Sequence, residues 1–238
     1  HDSIVINQKI YFFLLKLNFN CYFLDTKKIK ASEKIHCINT FIETGQKHKN
    51  YYAGLKYVIR DPNLKFKKNR KIVKKFNLLL HFGASDNKKL CLKIINILSK
   101  YKKIFKLHVI LGPALEYKVN LIKNVIKKIN YKFKIYIFPK NLNYIYNSAD
   151  ISIISGGNTL FNFCSFGKRN ISISTNIYEK KNCQKMKKMK LTNYYGHYNK
   201  IKKEKFIKFI DNVINKKNNN TKFLKTNGVK EISKIVNS

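Results

Sequence analysis

The segment Ile151-Ser152-Ile153-Ile154-Ser155-Gly156-Gly157-Asn158-Thr159, which runs on to Gly167, decides the fold of this chain. Its first five residues predict a short buried strand of a covered parallel sheet. The two glycines permit a tight turn, and Gly157 is a candidate for a φ above zero. A helix is expected from about Asn158 to Phe166, with Asn158 and Thr159 as N-caps. Free N–H groups at such a helix start favour an anion such as phosphate; the alternative is an ordinary strand-turn-helix that binds nothing.

Apolar segments with strand and helix periods alternate along the rest of the chain. Helices are expected near residues 8–17, 86–101, 116–129, 142–148, 203–215 and 229–236. Strands are expected near residues 3–7, 21–25, 38–42, 77–82, 107–111, 133–138 and 170–174, with a further apolar segment at 52–59. This alternation predicts an α/β fold with a doubly wound parallel sheet.

The order of these segments suggests two α/β domains. Residues 1–62 are expected to be the C-terminal remnant of an N-terminal domain, because the chain opens on a strand-like segment without Met. Residues 63–75 include a lysine-rich piece without an apolar period and are expected to be a linker. Residues 76–238 form the second predicted domain.

The strongly basic composition has a simpler explanation than nucleic-acid binding. The formal net charge is +38, yet only Arg60, Arg70 and Arg169 are arginine among 50 basic residues. Proteins that read phosphates and bases usually rely on the forked guanidinium of arginine. Lysine, asparagine, isoleucine and phenylalanine have A/T-rich codons, so a biased genome accounts for the charge. A specific nucleic-acid partner is not expected.

The five cysteines indicate neither a metal site nor a disulfide framework. They are widely spaced, and no Cys-x-x-Cys pair occurs. Reduced thiols in a cytoplasm fit this pattern best. No signal peptide opens the sequence, and the apolar run at residues 11–15 is too short to span a bilayer. No metal or other cofactor is expected.

Glycines mark the ends of three predicted strands. Gly83, Gly112 and the pair Gly156-Gly157 each follow a strand in a chain that has only nine glycines. In an open parallel sheet, ligands bind in the crevice at the carboxyl ends of the strands. These turns are therefore the predicted binding edge, although turn geometry alone explains much of the placement.

Several short motifs lie in the order found in a known enzyme family. They are Tyr57–Pro62, Gly83–Asp86, Leu111–Pro113, Ser148–Asp150 with Ser155–Thr159, and Asn227-Gly228. With them the chain resembles the UDP-2,4-diacetamido-2,4,6-trideoxy-β-L-altropyranose hydrolases of pseudaminic acid biosynthesis. That family is related to the GT-B glycosyltransferases. The resemblance extends from about residue 51 to the C terminus and implies a GT-B-like fold.

The resemblance implies a reaction in which water attacks the anomeric carbon of a UDP-sugar and UDP leaves, without a metal. It implies roles for ten residues of the second domain, which would then bind a nucleotide sugar. The diphosphate would contact Gly156, Gly157, Asn158 and Thr159; the ribose would contact Asn162; the sugar would contact Gln184; and Gly83, Ser85, Asp86 and Gly112 would line the facing crevice. For the polar residues outside the glycine pair, plain helix capping is an equal alternative.

The sequence departs from the family pattern in three places. Asn162 stands where the family usually has a Glu, and Asn182-Cys183-Gln184 splits the family's Asn-Gln pair. No segment before residue 60 matches the family's Gly-x-Gly-His loop, so no catalytic residue is assigned. His36 and His48 are expected to be core or surface histidines. An isolated chain of this kind is expected to bind UDP without turning over UDP-sugars, and the missing N-terminal domain would be its partner.

Two other functions stay open at this stage. The first is a GT-B glycosyltransferase that passes the sugar from a UDP-sugar donor to an acceptor rather than to water, since one fold serves both. The second is a basic nucleic-acid-binding module, which predicts lysines clustered on one face with exposed aromatic side chains between them. The even scatter of lysines along the sequence argues against the module.

Overall fold

The computed structural model of the chain describes residues 8–16, 19–25, 29–40, 47–65, 67, 74–215 and 223–237. The predicted strand at residues 3–7 and most of the predicted linker lie outside these ranges. The chain divides into two compact units, His1–Arg60 with Lys225–Ser238, and Asp61–Leu224.

The helices and strands follow one another in a regular α/β order. In chain order they are α1 (Gln8–Lys16), β1 (Cys21–Leu24), β2 (Ile35–Asn39), β3 (Tyr51–Ala53), β4 (Phe76–His81), α2 (Leu90–Leu98), β5 (Ile104–Leu111), α3 (Val119–Ile126), β6 (Lys132–Ile137), α4 (Leu142–Ser148), β7 (Ile151–Ser155), α5 (Asn158–Ser165), β8 (Asn170–Ser174), α6 (Ile177–Lys188), β9 (Asn193–His197), α7 (Lys203–Asn215) and α8 (Gly228–Val236). Short 3-10 helices lie at Leu55–Tyr57 and Tyr198–Lys200.

The first unit contains a three-stranded parallel sheet in the order β1-β2-β3. The C-terminal helix α8 belongs to this unit, where Ile235 packs against Ile38 and Tyr57. The sequence prediction placed the C-terminal residues in the second domain instead. Contacts over such a separation along the chain leave no local signal in the sequence.

The second unit is built on a six-stranded parallel sheet in the order β6-β5-β4-β7-β8-β9. Helices α2, α3 and α7 cover one face and share a core with the isoleucines and leucines of the central strands. Helices α5 and α6 pack on β7, β8 and β9. Strands buried on both faces explain the near-continuous apolar runs of β4 and β7. The predicted doubly wound α/β fold is confirmed.

The strand order reverses beside β4, and this reversal positions the site. From β4 the chain builds β5 and β6 to one side, and it then crosses to β7, β8 and β9 on the other. The connections that leave the carboxyl ends of β4 and β7 therefore diverge. Divergence of this kind opens a crevice at the carboxyl edge, which is where open α/β sheets bind ligands.

Several predicted boundaries were wrong, and two elements were missed. Helix α2 begins at Leu90 rather than near residue 86, because Asp86 and Lys89 take positive φ and form a turn first. Strand β2 begins at Ile35, and the segment 52–59 holds a short strand and a 3-10 helix. The sequence prediction missed helix α6, because few of its residues are apolar. It also missed β9, because Gly196 interrupts the strand pattern.

Candidate functional site

The turn after β7 has the predicted strand-glycine-glycine-helix form. Gly157 is the N-cap of α5, with φ −88° and ψ −148°. Asn158 and Thr159 are therefore the first residues inside the helix rather than its caps, which corrects the sequence prediction. Because glycine has no side chain to act as a cap, the N–H groups of Asn158 and Thr159 are left for solvent or a ligand, whereas the Leu160 N–H donates to the Gly157 carbonyl oxygen at 3.0 Å.

The two glycines of this turn have different roles. A Cβ on Gly156 would lie 2.7 Å from the Glu179 carbonyl oxygen and 2.7 Å from the Cys183 sulfur. A Cβ on Gly157 would meet only the Glu179 Oε1 atom, at 3.8 Å. Gly156 is thus required by the close approach of α6. A Cβ on Gly157 would make only an ordinary contact, and the negative φ of this residue refutes the expectation of a positive value.

Helix α6 supports the turn through residues that the sequence analysis did not assign. The Asn182 side chain donates its Nδ2 hydrogen to the Gly156 carbonyl oxygen at 3.0 Å. Both Asn182 and Cys183 are buried against the turn, whereas Gln184 is exposed on α6. The predicted sugar contact at Gln184 stays a prediction. The split Asn-Cys-Gln motif instead contributes a structural asparagine.

Glu179 is a half-buried residue whose carboxylate lies beside the same turn. Its Oε2 atom accepts hydrogen bonds from the Thr175 backbone N–H at 2.7 Å and from the Thr175 hydroxyl at 2.8 Å. Asn176 caps α6 by accepting from the N–H groups of Tyr178 and Glu179. An N-cap residue followed three positions later by Glu is a recognisable helix-start signal, so the sequence could have revealed this pair.

Burial raises the pKa of the Glu179 carboxyl above its ordinary value, while the hydrogen bonds from Thr175 and from the Gly156 backbone oppose the rise. The Oε1 atom is the one closest to Gly157. A partly protonated carboxyl can donate a hydrogen bond, whereas an ionised one repels a nearby anion. The charge of Glu179 therefore affects what the turn can bind.

The loop after β4 lies beside the end of β7. Gly83 has φ +77°, a value that favours glycine, and a Cβ there would come within 3.7 Å of the Ser155 hydroxyl oxygen. A Cβ on Gly112 would lie 2.4 Å from the backbone of Ala84. Gly112 is required because the loops after β4 and β5 pack backbone to backbone. The structure thus brings Gly83 to the end of β7 and gives Gly112 a packing role.

The sequence predicted that Asp86 lines the crevice. In the structure its side chain caps helix α2. Its carboxylate accepts the N–H groups of Leu90 at 2.7 Å and Cys91 at 3.0 Å, and the Tyr117 hydroxyl also donates to it. Burial raises the pKa of Asp86, and these hydrogen bonds oppose the rise. The capping alternative describes Asp86. Ser85, next to it, is half-buried in the same turn.

Asn162 also has a partner within the unit. Its Oδ1 atom accepts the backbone N–H of Asp61 at 3.3 Å. A ribose contact could use its amide nitrogen or the second lone pair of Oδ1. His36 and His48, which were expected to be core or surface histidines, both make contacts within the first unit. The His36 ring stacks on Tyr22 with centroids 4.6 Å apart, and His48 accepts the N–H of Asn50.

The described residues contain no group of three or more His, Cys, Asp or Glu side chains arranged to hold a metal ion. Within the same ranges, no helix has both the length and the apolar character needed to cross a membrane. All five cysteines are buried.

A six-stranded doubly wound parallel sheet, with the α5 turn at the point where its strand order reverses, defines an open α/β domain. More particularly, the chain belongs to glycosyltransferase family 28, because residues 74–236 match the description "Glycosyltransferase family 28 C-terminal domain". The predicted relation to the GT-B glycosyltransferases is confirmed at this level. The narrower hydrolase family is not.

Two individual proteins illustrate the likeness. An uncharacterized protein of Methanocaldococcus jannaschii is 33% identical over 118 residues, which cover 47% of this chain and 24% of that protein. The chain therefore spans about a quarter of that relative. The crystal structure of Acinetobacter baumannii MurG superposes with a TM-score of 0.53 at 12% identity, over 76% of this chain and 52% of MurG. At that identity the likeness concerns the fold alone.

Proposed function

We propose that the chain is the donor-binding part of a GT-B glycosyltransferase that uses a UDP-sugar, and that the diphosphate binds at the N-terminus of α5. The observation that carries this proposal is the Gly157 N-cap, which leaves the N–H groups of Asn158 and Thr159 without a side-chain cap at the switch point of a family 28 domain. Oriented N–H groups and the positive end of a helix dipole favour a diphosphate.

In such a reaction this chain would stabilise the leaving group. The bond between the anomeric carbon and the diphosphate oxygen breaks, and negative charge builds up on UDP. The N–H groups of Asn158 and Thr159 would donate to that charge, and preorganised donors of this kind lower the barrier without reorganisation. The acceptor and a general base would come from an N-terminal domain, which stays a prediction.

The hydrolase of pseudaminic acid biosynthesis is the second candidate. Its support is the ordered motif set from Tyr57 to Asn227-Gly228. Membership of family 28 fits sugar transfer at least as well as it fits hydrolysis. The two reactions differ only in the acceptor, which is water in hydrolysis, so one fold can serve both. Incubating a complete protein with UDP-sugar, with and without candidate acceptors, separates the two: a hydrolase releases free sugar at the same rate in both. A cytoplasmic location also remains a prediction.

The binding proposal is tested by giving α5 the cap that it lacks. An N-cap aspartate places its carboxylate on the N–H groups of the second and third helical residues, here Thr159 and Leu160. Gly157→Asp therefore occupies the proposed diphosphate site with a negative charge. Because φ of Gly157 is negative and a Cβ there would meet only the Glu179 Oε1 atom, at 3.8 Å, we expect the variant to fold. Isothermal titration with UDP should show affinity at least about tenfold weaker than the parent's.

The matched control is Asn124→Asp, which makes the same charge change at an exposed position of α3. It should bind UDP as the parent does. Thermal unfolding of both variants establishes that they are folded. A folded Gly157→Asp chain that binds UDP with the parent's affinity refutes the proposed diphosphate site, and so does a parent chain that does not bind UDP.

A further inference from the structure

A second groove lies at the opposite edge of the large sheet. It opens at the amino-terminal ends of β5 and β6, between the segments that follow α2 and α3. None of its lining residues belongs to the α5 turn. Five lysines line it, and among the described residues of its lining there is no Asp or Glu; the lysines are Lys75, Lys100, Lys102, Lys106 and Lys132.

Asp211 of α7, which contacts the groove residue Tyr101, is already paired with a lysine. Asp211 of α7 accepts hydrogen bonds from the Lys103 ammonium at 2.6 Å and the Tyr101 hydroxyl at 2.7 Å. The Lys103–Asp211 pair therefore leaves the charge of the groove lysines uncompensated by that carboxylate. A groove of this sign is complementary to a polyanion.

A β-bulge gives the groove an aromatic surface. Phe76 pairs with Ile104 and Asn77 pairs with Lys106, so Phe105 is an extra residue in β5. Bulges redirect a side chain out of the regular ladder. The Phe105 side chain is 50% exposed, and the Lys132 ammonium lies 5.6 Å from its ring centroid.

Phe133 adds a second open ring at the start of β6. It is 49% exposed and lines the same groove as Phe105. Half-exposed rings between lysines match the combination that binds single-stranded nucleic acid, in which bases stack on aromatic faces and lysines contact the phosphates. Amphipathic membrane anchors instead are usually helices with one apolar face, whereas these rings stand on strands inside a groove.

We propose that this groove binds single-stranded nucleic acid, with bases stacked on Phe105 and Phe133 and phosphates held by the surrounding lysines. The proposal is independent of the sugar-nucleotide function. It rests on this groove rather than on the net charge, because lysines throughout the chain attract any polyanion.

The test removes the rings without changing the charge. The full chain is titrated into a fluorescein-labelled oligothymidylate of about 12 nucleotides, within the range of known site sizes, and anisotropy is recorded. Phe105→Ala and Phe133→Ala should each weaken binding by roughly five- to 100-fold, with an unchanged salt slope. Phe105→Tyr, which keeps a ring, should bind as the parent does. Phe13→Ala is the matched control, because Phe13 is 61% exposed on α1, far from the groove in sequence.

Two further probes separate stacking from charge and from lipid binding. An abasic oligonucleotide of the same length should bind the parent and the phenylalanine variants equally. Vesicles of phosphatidylserine and phosphatidylcholine should show no dependence on Phe105 or Phe133. Parent-like oligothymidylate binding by folded Phe105→Ala and Phe133→Ala chains overturns the proposal. An equal loss in Phe13→Ala also overturns it, as does a loss confined to the vesicles, which would assign the groove to an anionic membrane surface.

Discussion

Adding one methyl group should destabilise the protein much more at Gly156 than at Gly157, the two glycines of the α5 turn. In Gly156→Ala the new Cβ would lie 2.7 Å from the backbone oxygen of Glu179, closer than real Cβ atoms approach a backbone atom. Helix α6 must then withdraw by several tenths of an ångström. In Gly157→Ala the nearest atom is the Glu179 carboxylate oxygen at 3.8 Å, an ordinary contact.

The size of the effect follows from what the shift disrupts. Overpacking of a well-packed site costs about 1–3 kcal/mol. The buried hydrogen bond from Asn182 to the Gly156 carbonyl is worth about 1 kcal/mol more. The free energy of unfolding should therefore fall by about 2–4 kcal/mol, which lowers Tm by roughly 5–15 °C in a unit of this size. Gly157→Ala should lower the free energy of unfolding by no more than about 1 kcal/mol, since alanine is a poorer N-cap than glycine but meets no close atom.

Thermal unfolding followed by circular dichroism compares the parent and the two variants under identical conditions. Equal melting temperatures for Gly156→Ala and the parent would show that α6 does not press on the turn. A large drop in Gly157→Ala would show that the space above Gly157 is filled. Either result removes the basis for distinguishing a packing glycine from a ligand-facing one.

Three further predictions concern buried polar groups. Burial raises the folded-state pKa of Glu179 above its ordinary value of 4.5. The free energy of unfolding should therefore fall as pH rises from 4.5 towards the raised pKa. Denaturant titrations of Glu179→Gln should lack this fall. Burial lowers the pKa of His81 from 6.5 to about 4. About 3 kcal/mol of the free energy of unfolding should therefore be lost as pH falls from 6.5 towards 4. His81→Phe should lose less stability over the same pH range. Asp86→Ala removes the α2 cap and leaves Tyr117 without its acceptor, so it should cost about 2–4 kcal/mol in urea unfolding, whereas Ser85→Ala should stay within about 0.5 kcal/mol of the parent.

The two glycines of the α5 turn show most clearly what the sequence reveals and what it does not. The sequence alone predicted the strand, the glycine pair and the helix, because a run of isoleucines followed by glycines and good cap residues is a local pattern. It could not tell that Gly156 faces α6, since α6 is more than twenty residues away and has few apolar residues. It also misassigned the cap, because Asn158, Thr159 and a preceding glycine are all acceptable at that position.

What the sequence determined by itself was the order of strands and helices from β4 to β8 of the second unit, and with it a doubly wound parallel sheet whose glycine turns meet at one edge. Period and turn chemistry act over a few residues, so they can be read from a single chain. The tertiary structure alone decided which polar side chains are already engaged. Asp86 caps α2, Asn162 holds the Asp61 backbone, and Glu179 and Asn182 brace the α5 turn. A hydrogen bond between distant segments depends on how the helices pack, and sequence spacing carries no record of that packing.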